Sequence, residues 1–451
     1  MKIYMETLGC PKNFNDTQVA KGIMTENGYE LTDYIEDADV MILNTCGFIN
    51  DAKKESISRT FELAEYKEMG KKLIMTGCLS ERYSKDLFDD MPEVDVFLGV
   101  NEYEKLPQIL TSIKNSAGMA CCEGSEIDSF RRKDYVTGCA SKELLTMPRV
   151  LEENPYTATL KIAEGCDNRC AYCIIPFIRG PFRSKKREDI LEEAKWLASK
   201  GCKELILIAQ DATVYGNDLY GKLALPELLR DLCKVEGIEW IRLMYCYEDR
   251  ITDELIEVMA TEPKICHYID IPIQHSSDNV LKGMNRRSTE KSIRTTIEKL
   301  KKAIPDIHIR TTLITGFPGE TEEDFENLVE FVEETRFARL GVFAYSQEEN
   351  TPAGEREDQV PEDVRALRAD AIMRRQLDIS LETNKEKIGS ELEVLVEEKD
   401  EDGSYIGRTR YDAPEIDNSV IFTSEREIKP GEIVKVYVQD AFDYDLTGME
   451  V

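Results

Sequence analysis

Three cysteines in the run EGCDNRCAYC, Cys166, Cys170 and Cys173, are separated by three and then by two residues, with no fourth thiol nearby. A structural zinc site closes a tetrahedron of four ligands, and a simple electron-transfer cluster is held by four cysteines. Three thiolates on a cubic 4Fe–4S cluster leave one iron open to a small molecule, which makes the triad a site for chemistry more than for holding a fold. Two plainer readings stand beside this one. Zinc would need a fourth ligand from elsewhere, and the chain offers only His267, His275 and His308; alternatively, the three are unconnected buried thiols.

A second triad is spread through the first quarter of the chain. KIYMETLG, DVMILNT, KKLIMTG and VDVFLGV are short apolar runs, each followed by a polar, helix-compatible stretch. Such alternation predicts a parallel sheet with helices on its faces. Cys10, Cys46 and Cys78 follow the first three runs, each beside a glycine (Gly9, Gly47, Gly77). Ligands of open parallel sheets bind outside the carboxyl ends of the strands, and glycine lets backbone approach a bulky group closely. Three strand-end thiols could therefore converge on a second cluster, although a lone strand cysteine is usually only a small buried hydrophobe.

The rest of the chain supplies further elements. Residues 1–116 form the parallel-sheet region, and 117–151 read as a connector in which Cys121, Cys122 and Cys139 have no evident partners. Residues 152–382 repeat strand and helix: ATLKIAEG, ELILIAQD, EWIRLMYCY, YIDIPIQH, IHIRTTLITGF and RLGVFAY are strand-like, with EDILEEAKWLASKG and ENLVEFVEETR among the helices. About six such units predict a partial barrel, with the cysteine loop after its first strand, at the carboxyl end where barrel active sites sit. Cys202, Cys233, Cys246 and Cys266 in this region read as structural. Residues 385–451 change character: ELEVLVEE, GSYIGRTR, SVIFTS and EIVKVYVQDAF, separated by turn signals, predict a small β-barrel.

Charge bears on partners. The 451 residues carry a net charge of −30, and residues 385–451 hold 8 Lys and Arg against 18 Asp and Glu, a net −10. Phosphate backbones are held by Lys and Arg, so an acidic field argues against direct nucleic-acid binding and for a basic protein partner. The plainer reading is that acidity serves solubility. No apolar run is long enough to span a bilayer, and the start MKIYMETLGC lacks a signal-peptide core, so a cytoplasmic, membrane-free protein is expected. In that reducing compartment the 13 cysteines are metal ligands or buried thiols rather than disulfides.

With Tyr172 before its last cysteine, Cys-x-x-x-Cys-x-aromatic-Cys resembles the signature of the radical S-adenosylmethionine enzymes. In that family the open iron chelates the methionine part of the cofactor. Almost the whole chain resembles the methylthiotransferases, which join an amino-terminal cluster domain, a radical S-adenosylmethionine core and a carboxyl-terminal TRAM barrel. LGCPKN, NTCGFINDAKKESI and TGCLSERY resemble that family's three cluster-ligand segments. GCPKN, AEGCDNRCAYCIIPFIRGPFRS, LILIAQDATVYG, YIDIPIQHSSDNVLKGMNRR and DAPEID resemble the branch that modifies an aspartate of small-subunit ribosomal protein S-twelve. The other branch modifies an adenosine near the tRNA anticodon. DTQ at 16–18 and Asn418 after DAPEID depart slightly from the pattern.

The resemblance implies an α/β fold of three parts, two 4Fe–4S clusters and S-adenosylmethionine as radical source and methyl donor. One cluster is on Cys166, Cys170 and Cys173, and the other on Cys10, Cys46 and Cys78. It implies an electron donor as a further partner. It also implies that Tyr172 and Ile175 flank the adenine, that Gln210 and Asp211 lie near the methionine or ribose, that Ile314 and Gly316 offer backbone to the adenine, and that Arg310 pairs with the cofactor carboxylate. No catalytic His or carboxylate pair stands out, and His275 reads as a structural strand-end residue. The resemblance implies attack at the unactivated β-carbon of that aspartate, which has no acidic proton for such groups to remove. The rival readings are the same chemistry on tRNA, and a two-cluster electron carrier without catalysis.

Overall fold

The computed structural model describes residues 1–116, 148–151 and 155–451. Cys121, Cys122, Cys139 and most of the expected connector lie outside the described residues. The chain divides into two compact units, one comprising Met1–Glu153, Ala163–Arg169 and Cys173–Lys185, the other Asn154–Ile162, Cys170–Tyr172 and Lys186–Val451.

In the first unit, β1 (Lys2–Thr7), β2 (Glu30–Leu31), β3 (Val40–Thr45), β4 (Lys72–Gly77) and β5 (Val96–Gly99) form a parallel sheet in the order β2-β1-β3-β4-β5. The four apolar runs are its four longer strands, and only the two-residue β2 escaped the sequence pattern. VMILNT of β3 is buried along its whole length because it lies between β1 and β4 with helices on both faces. Its residues alternate between two cores. Val40 and Ile42 pack with Val19 and Ile23 of α1 (Pro11–Glu26) and Leu106 and Leu110 of α4 (Leu106–Ser116). Met41 and Leu43 pack with Leu63 of α2 (Asn50–Ala64) and Leu79 of α3 (Cys78–Asp90). The same unit holds the antiparallel pair β7 (Ala163–Glu164) and β8 (Arg183–Ser184), and the short helix Ile175–Arg179.

In the second unit, β6 (Thr157–Lys161), β9 (Glu204–Ile208), β10 (Trp240–Leu243), β11 (Ile265–Asp270), β12 (His308–Thr315) and β13 (Arg339–Ala344) form an open parallel sheet in the order β13-β12-β11-β10-β9-β6. This is the partial barrel expected from the six strand-like runs. The helix Glu362–Lys385 leads into β14 (Glu391–Lys399), β15 (Tyr405–Thr409), β16 (Val420–Thr423), β17 (Ile433–Ala441) and β18 (Leu446–Glu450). These close into a barrel in the order β14-β15-β16-β18-β17, filled by Val394, Val396, Tyr405, Phe422, Val436 and Val438.

The small barrel is bolted to the partial one by buried charge. Glu204 Oε1 accepts from Arg242 Nε at 2.7 Å and its Oε2 from Arg408 Nη2 at 2.7 Å. The DAPEID segment lies beside them: Asp412 pairs with Arg339, while Asp417 accepts from Tyr268 Oη at 2.8 Å and lies 3.5 Å from Arg310 Nε. Ala413 packs with Ile206, Trp240 and Tyr268 of the sheet. No helix among the described residues is long and apolar enough to cross a membrane.

Candidate active site

The triad of Cys10, Cys46 and Cys78 is assembled at three adjacent strand ends. Cys10 follows β1 and is the N-cap of α1, Cys46 directly follows β3, and Cys78 directly follows β4 as the first residue of α3. Two of the thiols therefore sit at helix amino termini. Ser56 of α2 pins Cys46 by accepting from its N–H and donating to its carbonyl, both at 3.1 Å.

The glycines are required here. Gly77 has φ +94°, and a Cβ there would lie 2.3 Å from Asn44 Oδ1, so the strand turns into α3 without a loop. A Cβ on Gly47 would lie 2.7 Å from the backbone of Leu79, and one on Gly9 would lie 2.8 Å from Cys46 Cβ. The three strand ends are thus in close mutual contact.

Burial pushes the Cys78 thiol up to about 12, with Arg179 pulling it back and the nearby Cys10 and Cys46 adding to the rise. Burial likewise raises Cys46. Such thiols ionise on taking up metal, releasing protons as they bind. No group of three His, Cys, Asp or Glu among the described residues closes on a single ion. Ligands of a polynuclear cluster each take a separate iron, so they need not close that tightly. Strand-end thiols with glycine clearance and a buried cation beside them fit such a cluster.

The triad of Cys166, Cys170 and Cys173 lies on the loop after β7. Cys166 and Cys173 belong to the first unit and Cys170 to the second. In the first unit the Cys166 N–H donates to Gly180 O at 3.1 Å, and Asp167 Oδ1 accepts from Phe182 N at 3.3 Å. In the second unit, Cys170 Sγ lies 3.5 Å from Tyr247 Oη. Ala171 donates to Met284 O and accepts from Ala353 N, each at 2.9 Å. The buried Arg286 stacks 4.6 Å from the Tyr247 ring centroid and donates to Tyr172 Oη at 3.4 Å.

The expected cofactor contacts are brought together in part. Tyr172 and Ile314 share one apolar cluster with Phe317 and Tyr345 in the second unit. Ile175, by contrast, starts a helix of the first unit. Gln210 and Asp211 follow β9, and Asp211 is buried, accepting from Thr213 N at 3.1 Å and pairing with Arg250.

The amides of Ile314 and Gly316 donate to Gln274 O and Glu320 Oε2, both at 2.8 Å. Glu320 also accepts from Phe317 N at 3.3 Å and Arg368 Nη1 at 2.7 Å, so it is the clamp that shapes the TGFPGE turn. A Cβ on Gly316 would lie 2.2 Å from Arg365 Cγ, so glycine is demanded there by packing. Arg310 Nη1 lies 3.2 Å from Asp270 Oδ1, and the guanidinium also faces Asp417 of the small barrel, which places it in the buried seam. His275 is fully buried, accepting from Ser277 N at 3.0 Å with its Nε2 3.5 Å from Glu320.

Three family models match the chain: Uncharacterized protein family UPF0004 at residues 2–99, the Radical SAM superfamily at 160–332 and the TRAM domain at 388–451. Ribosomal protein uS12 methylthiotransferase RimO of Lachnoclostridium phytofermentans is 49% identical over 99% of this chain and 99% of its own. That of Clostridioides difficile is 48% identical over 99% and 98%. The chain belongs to the RimO family of methylthiotransferases. It is a radical S-adenosylmethionine methylthiotransferase, a class that works with an iron–sulfur cluster and S-adenosylmethionine. Among solved structures, the radical S-adenosylmethionine methyltransferase TsrM from Kitasatospora setae shares the fold. Its TM-score is 0.54 at 14% identity, over 78% of this chain and 77% of that one.

Sequence reasoning missed the buried polar groups around both triads. In the first unit Asn13 and Arg179 stand beside Cys78, with Asp16 and Glu164 holding Arg179; in the second, Tyr247 stands beside Cys170 and Arg286 stacks on Tyr247. One local signal existed: Lys12, Asn13, Asn15, Asp16 and Thr17 are a run of polar residues buried at the start of α1, where a surface helix would expose them.

Proposed function

We propose that this enzyme methylthiolates the β-carbon of an aspartate in ribosomal protein uS12, using two 4Fe–4S clusters. Cys166, Cys170 and Cys173 would hold the one that binds S-adenosylmethionine, and Cys10, Cys46 and Cys78 the auxiliary one. When bound, these groups supply a carbon-centred radical able to take hydrogen from an unactivated carbon, together with the sulfur and the methyl group to be transferred. The single observation that carries the two-cluster reading is the meeting of three thiols at the carboxyl ends of β1, β3 and β4.

The chain's own residues have defined tasks in this reading. Cys10 and Cys78 stand at the amino ends of α1 and α3, and Ser56 holds Cys46 in place. Tyr247 and Arg286 fix the Cys170–Tyr172 stretch, while Glu320 holds the turn that presents Ile314 beside Tyr172. Tyr172, Ile175, Gln210, Asp211, Ile314 and Gly316 are the proposed cofactor contacts. Arg310, tied into the barrel seam, would reach a cofactor carboxylate only by giving up Asp270. The acidic small barrel, net −10 over 385–451, suits a basic ribosomal protein and repels a tRNA backbone. An external electron donor completes the requirement.

The test is anaerobic turnover of the reconstituted protein with S-adenosylmethionine, reductant, sulfide and uS12, read by mass spectrometry. A gain of about 46 Da on one aspartate, one sulfur and one CH₂ unit, supports the reaction and the substrate together. Deoxyadenosine without that gain would redirect the search to tRNA. Neither product, from protein with both clusters verified, would leave an electron carrier.

A further inference from the structure

Arg179 has no part in the chemistry described above, yet among the described residues it is one of the largest side chains completely buried, at 1% exposure. Its Nη1 lies 2.9 Å from Asp16 Oδ2 and 3.2 Å from Glu164 Oε1. Its Nη2 donates to Asn13 Oδ1 at 2.7 Å and to Cys78 Sγ at 3.5 Å. One nitrogen is thus held by two carboxylates while the other is aimed at the sulfur. Asn13 is itself oriented, because its Nδ2 donates to Leu8 O at 3.0 Å and Thr45 O at 3.1 Å, which turns its Oδ1 towards Arg179.

A lysine could not make this set of contacts, since only a planar fork of donors reaches all four acceptors. The two carboxylates already exceed the charge of one guanidinium, so charge balance alone does not explain the hydrogen bond to sulfur. Arg179 also closes the helix whose next residue, Gly180, accepts the Cys166 N–H at 3.1 Å, and Glu164 lies two residues before Cys166. The cation beside the auxiliary thiol is therefore built into the segment that carries Cys166.

We propose that Arg179 is a positioning residue that sets the reduction potential of the auxiliary cluster through its charged N–H···S hydrogen bond to Cys78. This rests on the two-cluster reading. Hydrogen bonds to ligand sulfur and local charge are the protein's main levers on cluster potential. A donor to the thiolate withdraws electron density and stabilises the reduced, more negative state. Removing it shifts the midpoint to more negative values and strengthens the iron–thiolate bond.

The experiment uses the full chain carrying C166A, C170A and C173A, so that only the auxiliary cluster is loaded, with iron and sulfide quantified first. Redox titration followed by electron paramagnetic resonance then compares this parent with added R179Q and R179K. R179Q should disfavour the reduced cluster at least tenfold, about 59 mV for a one-electron couple. R179K, which keeps the charge but not the fork, should give a smaller shift of the same sign. Resonance Raman should show the iron–cysteine stretch rising in both. If R179Q fails to fold by circular dichroism, R179K decides alone.

Unchanged potential and stretch in every folded variant would overturn the inference and leave Arg179 as a structural tie between Asp16 and Glu164. A parent that folds but takes up no cluster would sink the two-cluster reading, and this inference with it.

Discussion

Glu204→Gln tests whether buried charge holds the small barrel on the partial one. Glu204 is 0% exposed and bridges Arg242, also 0% exposed, and Arg408, 2% exposed. Burial works against its charge, yet Arg242 and Arg408 outweigh it and hold its pKa at about 2, from an ordinary 4.5. At 1.36 kcal/mol per unit, that shift corresponds to about 3 kcal/mol of stability at neutral pH. Removing one partner of a buried pair independently suggests about 3–5 kcal/mol.

The sign follows from the direction of the shift. A depressed carboxylate contributes fully above its unfolded value, near 4.5, and the contribution is lost as pH falls towards about 2. Both tryptophans, Trp196 and Trp240, lie in the second unit, and Trp240 pairs with Glu204 across β9 and β10. Urea unfolding of iron-free protein followed by their fluorescence therefore reports the affected unit. At pH 7 the variant should be less stable by about 3 kcal/mol, and the gap should shrink below pH 4.5. A loss under about 1 kcal/mol with no pH dependence would mean that the network is worth no more than surface ion pairs, refuting the reasoning.

Gly47→Ala places a methyl 2.7 Å from the Leu79 backbone, which must move; the overpacking cost is about 1–3 kcal/mol. The expected result is a folded protein that has lost most auxiliary iron, measured per chain in the C166A, C170A, C173A background. Cys170→Ala alone should abolish deoxyadenosine formation while leaving auxiliary iron in place, read by chromatography beside metal analysis. Tyr247→Phe removes the hydroxyl 3.5 Å from Cys170 and should slow deoxyadenosine formation several-fold without changing iron content. Replacing the exposed Asp400, Glu401 and Asp402 by Lys should raise KM for uS12 several-fold and flatten its salt dependence; an unchanged KM would remove the acidic barrel from substrate binding.

The sequence by itself determined the elements and their order. Apolar runs of strand length, separated by helix-compatible stretches, led to the parallel sheet of the first unit and the six-stranded sheet of the second, and the turn-punctuated tail led to the closed barrel. These are local patterns of period and punctuation, so they survive without coordinates. The cysteines were legible for the same reason: Cys166, Cys170 and Cys173 share one loop, while Cys10, Cys46 and Cys78 each follow a strand run.

Partners far apart in sequence were settled only by tertiary structure. Arg179 meets Asp16 across 163 residues, and Arg408 meets Glu204 across 204. Nothing local marks an arginine as buried, because a charge enters a core only when folding brings its counter-charge there. The pairing of Arg310 with Asp417 likewise appears only once the small barrel is placed beside it. The packing demand for glycine at Gly316 came into view only with Arg365, which fills the space a side chain would need. Strands and cysteine spacing are written residue by residue along the chain, whereas pairing of buried charge belongs to the folded whole.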